Sequence, residues 1–404
     1  MVKLKPRKWI AYVGPFGFPD GGAAARRILG NAHALVAAGY EVVILSGQTD
    51  ECGAALRTYC KGIKIASMQE RDAEHLPRPI RLARYALMGQ RTRQWLSDQP
   101  IPPSAIILYS GYTPYLLQFT GWGRKRKIPV IFDAVEWYTA ENALNLALSP
   151  YLWNIEFSMR LLNKRLDGII AISSFLENYY KESGMNVVRV PPLLDINAIT
   201  PGLQRKEDGR LKIAYTGSPG TKDNLDEMIC AIMRIDPVGE RIAIDIAGLD
   251  KGQVLSLPGV ASLGMKKLPE SVRAHGYVPH DQALELVRNA DFSMFLRRRN
   301  RVSTAGFPTK FVESFAVGTP VISTITSDLG QYLLDGQTGV ICNEDASVES
   351  LSAALSRALR LESDDHEAMQ MKCRVTAQRH FDYTNYAALL GAFIEEVKTN
   401  NMVI

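Results

Sequence analysis

The sequence predicts an α/β protein of two domains, each built on a parallel sheet with helices on both faces. Short apolar runs typical of buried strands alternate with longer stretches of helical pattern along most of the chain, and such alternation indicates parallel sheets. The chain has 404 residues, more than the ~250–300 at which one hydrophobic core usually stops growing. Its 46% hydrophobic and 22% charged residues indicate a compact globular protein rather than a disordered or fibrous one.

The first domain is predicted over residues 1–198 and opens with a βαβ unit. A short apolar strand leads into the glycine-rich loop 14–22, a helical pattern follows over 23–38, and Gly39 ends it. The strand-like runs of this domain are 9–13, 41–46, 105–109, 130–132, 168–172 and 187–190.

The second domain is predicted over residues 199–382. Prolines, Gly202 and a polar stretch interrupt the pattern between residues 191 and 210, which predicts the interdomain linker there. A new series of strand-like runs then begins at 212–216, 242–247, 274–277, 292–296 and 320–323. A polar helix is predicted near 345–361, and apolar residues recur at helical spacing again from 383 to 397.

The distribution of charge along the sequence indicates an anionic partner. The net charge is +5, and basic residues cluster within 78–93, 124–127 and 297–301. Such clusters suit a nucleic acid, a nucleotide phosphate or an anionic membrane face, although a solvated surface is the better explanation of any single run. The stretch 80–96 and the basic run after Trp122 predict peripheral contact with a membrane, or a basic helix packed on the first domain. No nucleic-acid partner is predicted.

Cysteine usage and hydropathy predict a cytoplasmic location, at most at the inner face of the cell membrane. The five cysteines are scattered, without the spacing of metal ligands. No apolar run approaches the ~18 residues of a membrane span, and the six histidines have no metal-ligand spacing. No metal and no cofactor are predicted.

Three loops or helix starts are candidate phosphate sites. In the first, Gly14, Gly17, Gly21 and Gly22 lie where a strand passes into a helix N-terminus, a position that favours anions. Their spacing is not that of the dinucleotide fingerprint, so a nicotinamide cofactor is not indicated. A tight turn without a ligand explains this loop equally well.

The second candidate occupies the corresponding position in the second domain, where Gly217 and Ser218 precede Lys222. A cation there can neutralise the charge that develops on a departing diphosphate. The alternative is a solvated lysine in the first turn of a helix, where the helix dipole disfavours positive charge.

The third candidate is a helix that begins after Gly306, Phe307 and Pro308 and ends at Gly318. Lys310 is suited to phosphate, while Glu313 can accept hydrogen bonds from ribose hydroxyls. The alternative is an exposed i,i+3 ion pair worth only a few tenths of a kcal/mol.

Two carboxylates follow a buried strand of the first domain, at the end where open α/β sheets bind ligands. Asp133 and Glu136 stand there with Trp137 and Tyr138, a mixture that suits sugars. Helix N-capping is the alternative role for Asp133.

Together these residues resemble the GT-B glycosyltransferases, specifically the retaining family 4 (glycosyl transferases group 1) and its bacterial polysaccharide-type members. The most specific match is the segment from Gly306 through Lys310 and Glu313 to Ile322. The segment 171–176 and the first glycine loop are also similar, and the resemblance covers essentially the whole chain.

The resemblance implies two Rossmann-like domains that face an interdomain cleft, with the acceptor bound by residues 1–198 and the donor by 199–382. It also implies that the helix within 383–404 packs back on the first domain. The implied reaction is metal-independent sugar transfer with retention, a hexosyltransferase-type reaction, from a UDP- or GDP-linked donor to a glycan or lipid-linked acceptor in surface polysaccharide synthesis. Lys222, Lys310, Asp133 and Glu136 are then the catalytic candidates.

Two positions depart from the family pattern. Ala305 stands where many members have a first glutamate, and Ser218 where they have an arginine. Arg297, Lys310 and the other members of the arginine cluster at 297–301 are the candidates to supply the missing charge. A nucleotide-sugar 2-epimerase of the same fold and a non-catalytic nucleotide- or sugar-binding module are the alternative functions.

Overall fold

The computed structural model describes residues 8–20, 22–50, 53–71, 77–139, 149–202, 209–218 and 223–403. It divides into two compact units. The N-terminal unit comprises Met1–Leu193 together with Tyr383–Ile404, and the C-terminal unit comprises Leu194–Asp382. Both units are α/β with a mainly parallel sheet, as the sequence predicts.

The N-terminal unit contains an eight-stranded sheet in the order β3-β4-β2-β1-β5-β6-β7-β8. Only the edge pair of β3 and β4 is antiparallel, and the other pairs are parallel. The strands are β1 (Trp9–Gly14), β2 (Glu41–Ser46), β3 (Arg57–Cys60), β4 (Ile63–Ser67), β5 (Ala105–Tyr109), β6 (Val130–Ala134), β7 (Gly168–Ala171) and β8 (Val187–Arg189).

Six α-helices precede Leu193 in the described parts of this unit, and they flank the sheet. They are α1 (Gly22–Ala37), α2 (Arg78–Ala86), α3 (Gln90–Ser97), α4 (Thr113–Arg126), α5 (Pro150–Phe157) and α6 (Ser174–Lys181). A π-helical turn, Ser158–Leu162, continues α5. The central strands are apolar and fully buried, so this unit has a core on each face of its sheet.

The C-terminal unit contains a six-stranded parallel sheet in the order β11-β10-β9-β12-β13-β14. Its strands are β9 (Leu211–Thr216), β10 (Ile242–Ala247), β11 (Val272–Gly276), β12 (Phe292–Met294), β13 (Val321–Ser323) and β14 (Gly339–Ile341). Its helices are α7 (Leu225–Ile235), α8 (Lys251–Leu255), α9 (Pro258–Ser262), α10 (His280–Arg288), α11 (Arg301–Ala305), α12 (Thr309–Val317), α13 (Val348–Ala358) and α14 (Ser363–His380).

The last helix, α15 (Ala387–Val403), belongs to the N-terminal unit, where it packs beside α1 and β7. Lys8 and Tyr40 both donate to Glu395, over 2.7 and 2.6 Å. Phe393 of this helix lies so close to Gly168 that a Cβ at that glycine would come within 2.8 Å of the ring. The contact explains why β7 begins with a residue that has no side chain.

The strand order of each sheet marks where a ligand is expected. In the N-terminal unit the chain runs from β1 outward to β2 and then returns to β5 on the other side of β1. In the C-terminal unit it does the same around β9, with β10 on one side and β12 on the other. Open α/β sheets bind ligands beyond the carboxyl ends of the strands at such reversals.

Candidate active site

A buried charge cluster lies beyond the carboxyl ends of β9 and β12. Asp223 follows the β9 loop, Arg297 follows β12, and Lys310 stands in the first turn of α12. The Asp223 carboxylate accepts from Arg297 Nε at 2.7 Å and from Lys310 Nζ at 2.6 Å. Tyr215, in β9, donates to the same carboxylate at 2.9 Å. Two cations therefore converge on one anion at the strand reversal of this sheet.

Burial makes the electrostatics of this cluster strong. The side chains of Arg297 and Lys310 are only 13% and 14% exposed, and that of Asp223 is 2% exposed. Burial alone would raise the pKa of the Asp223 carboxyl, but the charges of Lys310 and Arg297 lower it to about 2. Because this value lies below the ordinary 3.8, the ion pairs stabilise the fold at neutral pH, and that contribution is lost as the pH falls from about 4 toward 2.

Lys310 also faces the turn at Gly217. A Cβ added to Gly217 would lie 3.6 Å from Lys310 Nζ, and the φ of Gly217 is +110°, which favours glycine. A Cβ added to Gly248 would lie 2.4 Å from the Gly217 carbonyl oxygen, so the turns after β9 and β10 pack back to back. Ser218 is exposed beside this turn. The Gly217 backbone and the Lys310 ammonium therefore lie side by side, an arrangement that suits a phosphate.

Glu313 lies one turn further along α12 and accepts from His280 Nε2 at 2.9 Å. Its side chain is 10% exposed, whereas that of His280 is 46% exposed. Lys310 thus pairs with the buried Asp223, and Glu313 pairs with His280. The structure therefore does not show the exposed i,i+3 ion pair between Lys310 and Glu313. The two side chains remain on one helix, within reach of one ligand.

The other residues considered for the donor site are either buried in the structure or lie outside its described part. Lys222 lies outside the described residues. The Phe307 ring is buried against Phe311 and Phe381, where it anchors the turn that begins at Gly306. Ala305 is fully buried at the end of α11.

A second candidate site is a cavity of about 410 Å³ in the N-terminal unit. The loops that follow β1, β5 and β6 all contribute to its wall, which places it at the strand reversal of that sheet. Its polar lining includes Arg71, Tyr109, Ser110, Glu136, Tyr138 and Asn154. Aromatic faces combined with charged and amide groups suit a polyhydroxylated ligand such as a sugar.

Glu136 is the carboxylate of this cavity. It forms a hydrogen bond with Tyr138, and burial together with the charge of Glu136 raises the pKa of that phenol. The cavity volume is in the range of small-molecule sites. Of the two acidic residues predicted near this strand end, Glu136 is the one that a bound sugar can reach.

Asp133 has a different environment, and the structure does not support the predicted catalytic role for it. It is the fourth residue of β6, it is fully buried, and its Oδ1 accepts from Arg27 Nη2 at 2.8 Å. Tyr12 donates a short hydrogen bond to Oδ2. Arg27 also donates to the carbonyl oxygens of Val190 and Pro191. Asp133 is therefore the counter-ion of a buried arginine, and it is not a helix cap either.

The first glycine loop forms part of the cavity wall. Gly17 lines it, and Gly22, with a φ of +61°, begins α1. A Cβ at Gly14 would lie 3.0 Å from the Phe16 ring and 3.1 Å from the Tyr109 carbonyl oxygen, so close packing favours glycine there. Gly21 lies outside the described residues.

Among the residues that the structure describes, no group of three or more histidine, cysteine, aspartate or glutamate side chains is arranged to hold a metal ion. No helix in the described parts of the chain is both long and apolar enough to cross a membrane.

Comparison with known proteins decides the family. Residues 202–376 match the family described as "Glycosyl transferases group 1", and residues 22–193 match the "Glycosyl transferase 4-like domain". This chain is a group 1 glycosyltransferase of family 4. The charge cluster of Asp223, Arg297 and Lys310 falls within the first match, and the cavity loops with Glu136 fall largely within the second.

Relatives of this glycosyltransferase agree with the assignment. The glycogen synthase of Mycobacterium tuberculosis is 25% identical over 209 residues, which are 49% of this chain and 47% of the relative, so the match spans about half of the relative's length. A sucrose-phosphate synthase from Thermosynechococcus elongatus has the same fold, with a TM-score of 0.71 and 14% identity over 98% of this chain and 100% of that one. Anabaena HepE, solved with UDP and glucose, has a TM-score of 0.65 and 11% identity over 96% and 100%. The fold is GT-B.

Proposed function

We propose that this glycosyltransferase moves a sugar from a UDP- or GDP-linked donor, bound in the C-terminal unit, to a glycan or lipid-linked acceptor. The observation that carries the proposal is the pair of buried cations, Lys310 and Arg297, which share Asp223, with Lys310 beside the exposed turn at Gly217. A diphosphate is the chemical group that two convergent cations and a glycine turn suit best. Glu313, one helical turn away, is then the partner for the ribose.

The proposed transfer needs no metal ion and retains the anomeric configuration. Lys310 and Arg297 supply the positive charge that a divalent cation would otherwise bring to the leaving diphosphate. Proton and carbon NMR of the product formed from a donor of known configuration tests retention, and an inverted product would contradict it. Undiminished transfer in EDTA tests independence of metal.

The cavity beside Glu136 is the proposed acceptor site. Its wall offers aromatic faces from Tyr109 and Tyr138 and hydrogen-bonding groups from Arg71 and Asn154. We assign the acceptor to the surface polysaccharides or their lipid-linked precursors. The similarity to a glycogen synthase supports the assignment to polysaccharide synthesis, since glycogen is itself a glycan.

The donor proposal predicts which ligands stabilise the protein. With EDTA present, UDP or GDP at 100 times its dissociation constant is expected to stabilise the wild type by about 2.7 kcal/mol, seen as a rise in the melting temperature. Lys310→Ala and Glu313→Ala are each expected to abolish most of that rise. The control is Arg298→Ala, because this neighbouring arginine is 65% exposed and bound to Glu227. Equal stabilisation of all four proteins would contradict the proposed site.

A cytoplasmic location at an anionic membrane face completes the proposal. Ile80 and Leu87, in and after α2, are 47% and 52% exposed, and Arg81 is exposed beside them. Four cations, residues 124–127, end α4. Exposed apolar side chains with adjacent cations favour such a surface.

Vesicle binding tests this location. The wild type is expected to sediment with vesicles of phosphatidylglycerol and phosphatidylcholine, to do so less in 0.5 M salt, and not to sediment with phosphatidylcholine alone. Reversal of residues 124–127 to glutamate is expected to abolish sedimentation. Equal sedimentation of wild type and variant with anionic vesicles would exclude this surface.

A further inference from the structure

We propose that Asp223 is a positioning residue of the donor site, which holds Lys310 protonated and directed at the Gly217 turn. The inference rests on the proposed function of this site and adds to it a residue that the sequence did not indicate.

The surroundings of the Lys310 ammonium fix its position. Nζ lies 2.6 Å from Asp223 Oδ2, 4.3 Å from the centre of the Tyr215 ring and 5.8 Å from the centre of the Phe295 ring. The Gly217 turn also lies beside it, since a Cβ added to Gly217 would be 3.6 Å from Nζ. Asp223 therefore holds the ammonium from one side, next to two aromatic rings and an exposed glycine turn.

Asp223 also stabilises the protonated form of Lys310. Burial lowers the pKa of Lys310, Asp223 opposes that effect, and the charge of Arg297 adds to the lowering. Glu313 is the other acidic neighbour, and it is hydrogen-bonded to His280, while Tyr215 donates to Asp223. Removal of Asp223 would leave Lys310 and Arg297 close together in a buried site. The burial and the positive charge of Arg297 would then both favour loss of the Lys310 proton.

Asp223 binds only some of the N–H groups of Lys310 and Arg297, which leaves others for a diphosphate. Asp223 takes one of the three hydrogens of the Lys310 ammonium and one of the five N–H groups of Arg297. The carboxylate therefore does not occupy all of the hydrogen-bonding capacity that a phosphate needs. Because most of these N–H groups are not bound by Asp223, we infer that Asp223 positions the two cations and does not compete with the nucleotide for them.

The test is the pH dependence of nucleotide affinity. Calorimetry with UDP, and with GDP in parallel, measures the dissociation constant from pH 7 to pH 10 for wild type and Asp223→Asn. In the variant, the loss of affinity at alkaline pH is expected to begin at a pH lower by about 1 to 3 units. The ratio of the two dissociation constants should therefore rise about 10-fold or more between pH 7 and pH 9.5.

Two control variants separate this effect from others. Lys310→Arg reports the pH dependence that belongs to the nucleotide alone, because a guanidinium does not titrate in this range. Asp236→Asn removes another buried carboxylate of the C-terminal unit, one that accepts from the backbone N–H groups of residues 239–242. It is expected to lower stability and to leave the pH profile of binding unchanged. If Asp223→Asn does not fold, Asp223→Ser carries the same expectation.

The outcomes distinguish this inference from the proposed function. If Asp223→Asn weakens binding by the same factor at every pH, Asp223 has only a structural role and the inference fails, while the donor site stands. If the wild type binds neither nucleotide, the proposed donor site fails, and the inference fails with it.

Discussion

Asp133→Asn is expected to destabilise the N-terminal unit by about 3–5 kcal/mol. The substitution leaves Arg27 fully buried without its counter-ion, since the Arg27 and Asp133 side chains are 1% and 0% exposed. All five tryptophans lie in this unit. Urea unfolding followed by tryptophan fluorescence therefore measures its stability directly.

The matched control for Asp133→Asn is Glu136→Gln, three residues away in the cavity wall. We expect the free energy of unfolding of this variant to lie within about 1 kcal/mol of the wild-type value. We also expect the variant to lose transfer activity. The double variant Arg27→Met/Asp133→Leu is expected to recover only part of the lost stability, because it removes the unpaired buried charge but also the hydrogen-bond partners of Tyr12 and of the Val190 and Pro191 carbonyls. A stable but inactive Asp133→Asn protein would instead restore the catalytic role predicted from the sequence.

The contrast between these two acids shows why the sequence could not separate them. The apolar run predicted a strand that ends at Phe132, but β6 continues to Ala134. The extension places Asp133 inside the sheet, where Arg27 from α1 reaches it, and leaves Glu136 in the loop. Arg27 itself gave a weak signal, because it is one of two adjacent arginines, Arg26 and Arg27, on the helix that follows the first glycine loop.

Elements with strong periodicity were predicted well. β2 and β10 have the bounds that their apolar runs predicted, and Gly318 ends α12 in a left-handed conformation. The edge strand β3 was missed because its residues are half-exposed or exposed and show no alternation of burial. The helix α14 was missed because most of its residues are polar or charged.

The C-terminal site was only half predictable, for a related reason. The residues on α12 that can meet a nucleotide follow from helical spacing, but their partners come from distant parts of the chain. Asp223 is 87 residues from Lys310, and His280 is 33 residues from Glu313. Local patterns predict elements, whereas these pairings depend on how β9, β12 and α10 are placed against α12.

Lys310→Ala is expected to lower kcat about 10²–10³-fold. Charge builds up on the diphosphate as the sugar leaves, and an ammonium fixed at the Gly217 turn stabilises that charge more in the transition state than in the bound donor. Release of nucleoside diphosphate from the donor that stabilises the wild type measures this effect. Lys310→Arg keeps the charge but changes its geometry, so we expect an intermediate loss.

The exposed neighbour Arg298 provides the comparison that makes the Lys310 result specific. Arg298→Ala removes a cation from the same basic cluster, but this side chain is 65% exposed, and solvent screens its charge. We expect it to retain kcat within a factor of about 2, because exposed charges contribute little. If Lys310→Ala and Arg298→Ala lost activity equally, the site would be acting through its general positive field. A loss confined to Lys310 indicates that the fixed position of one buried charge carries the effect.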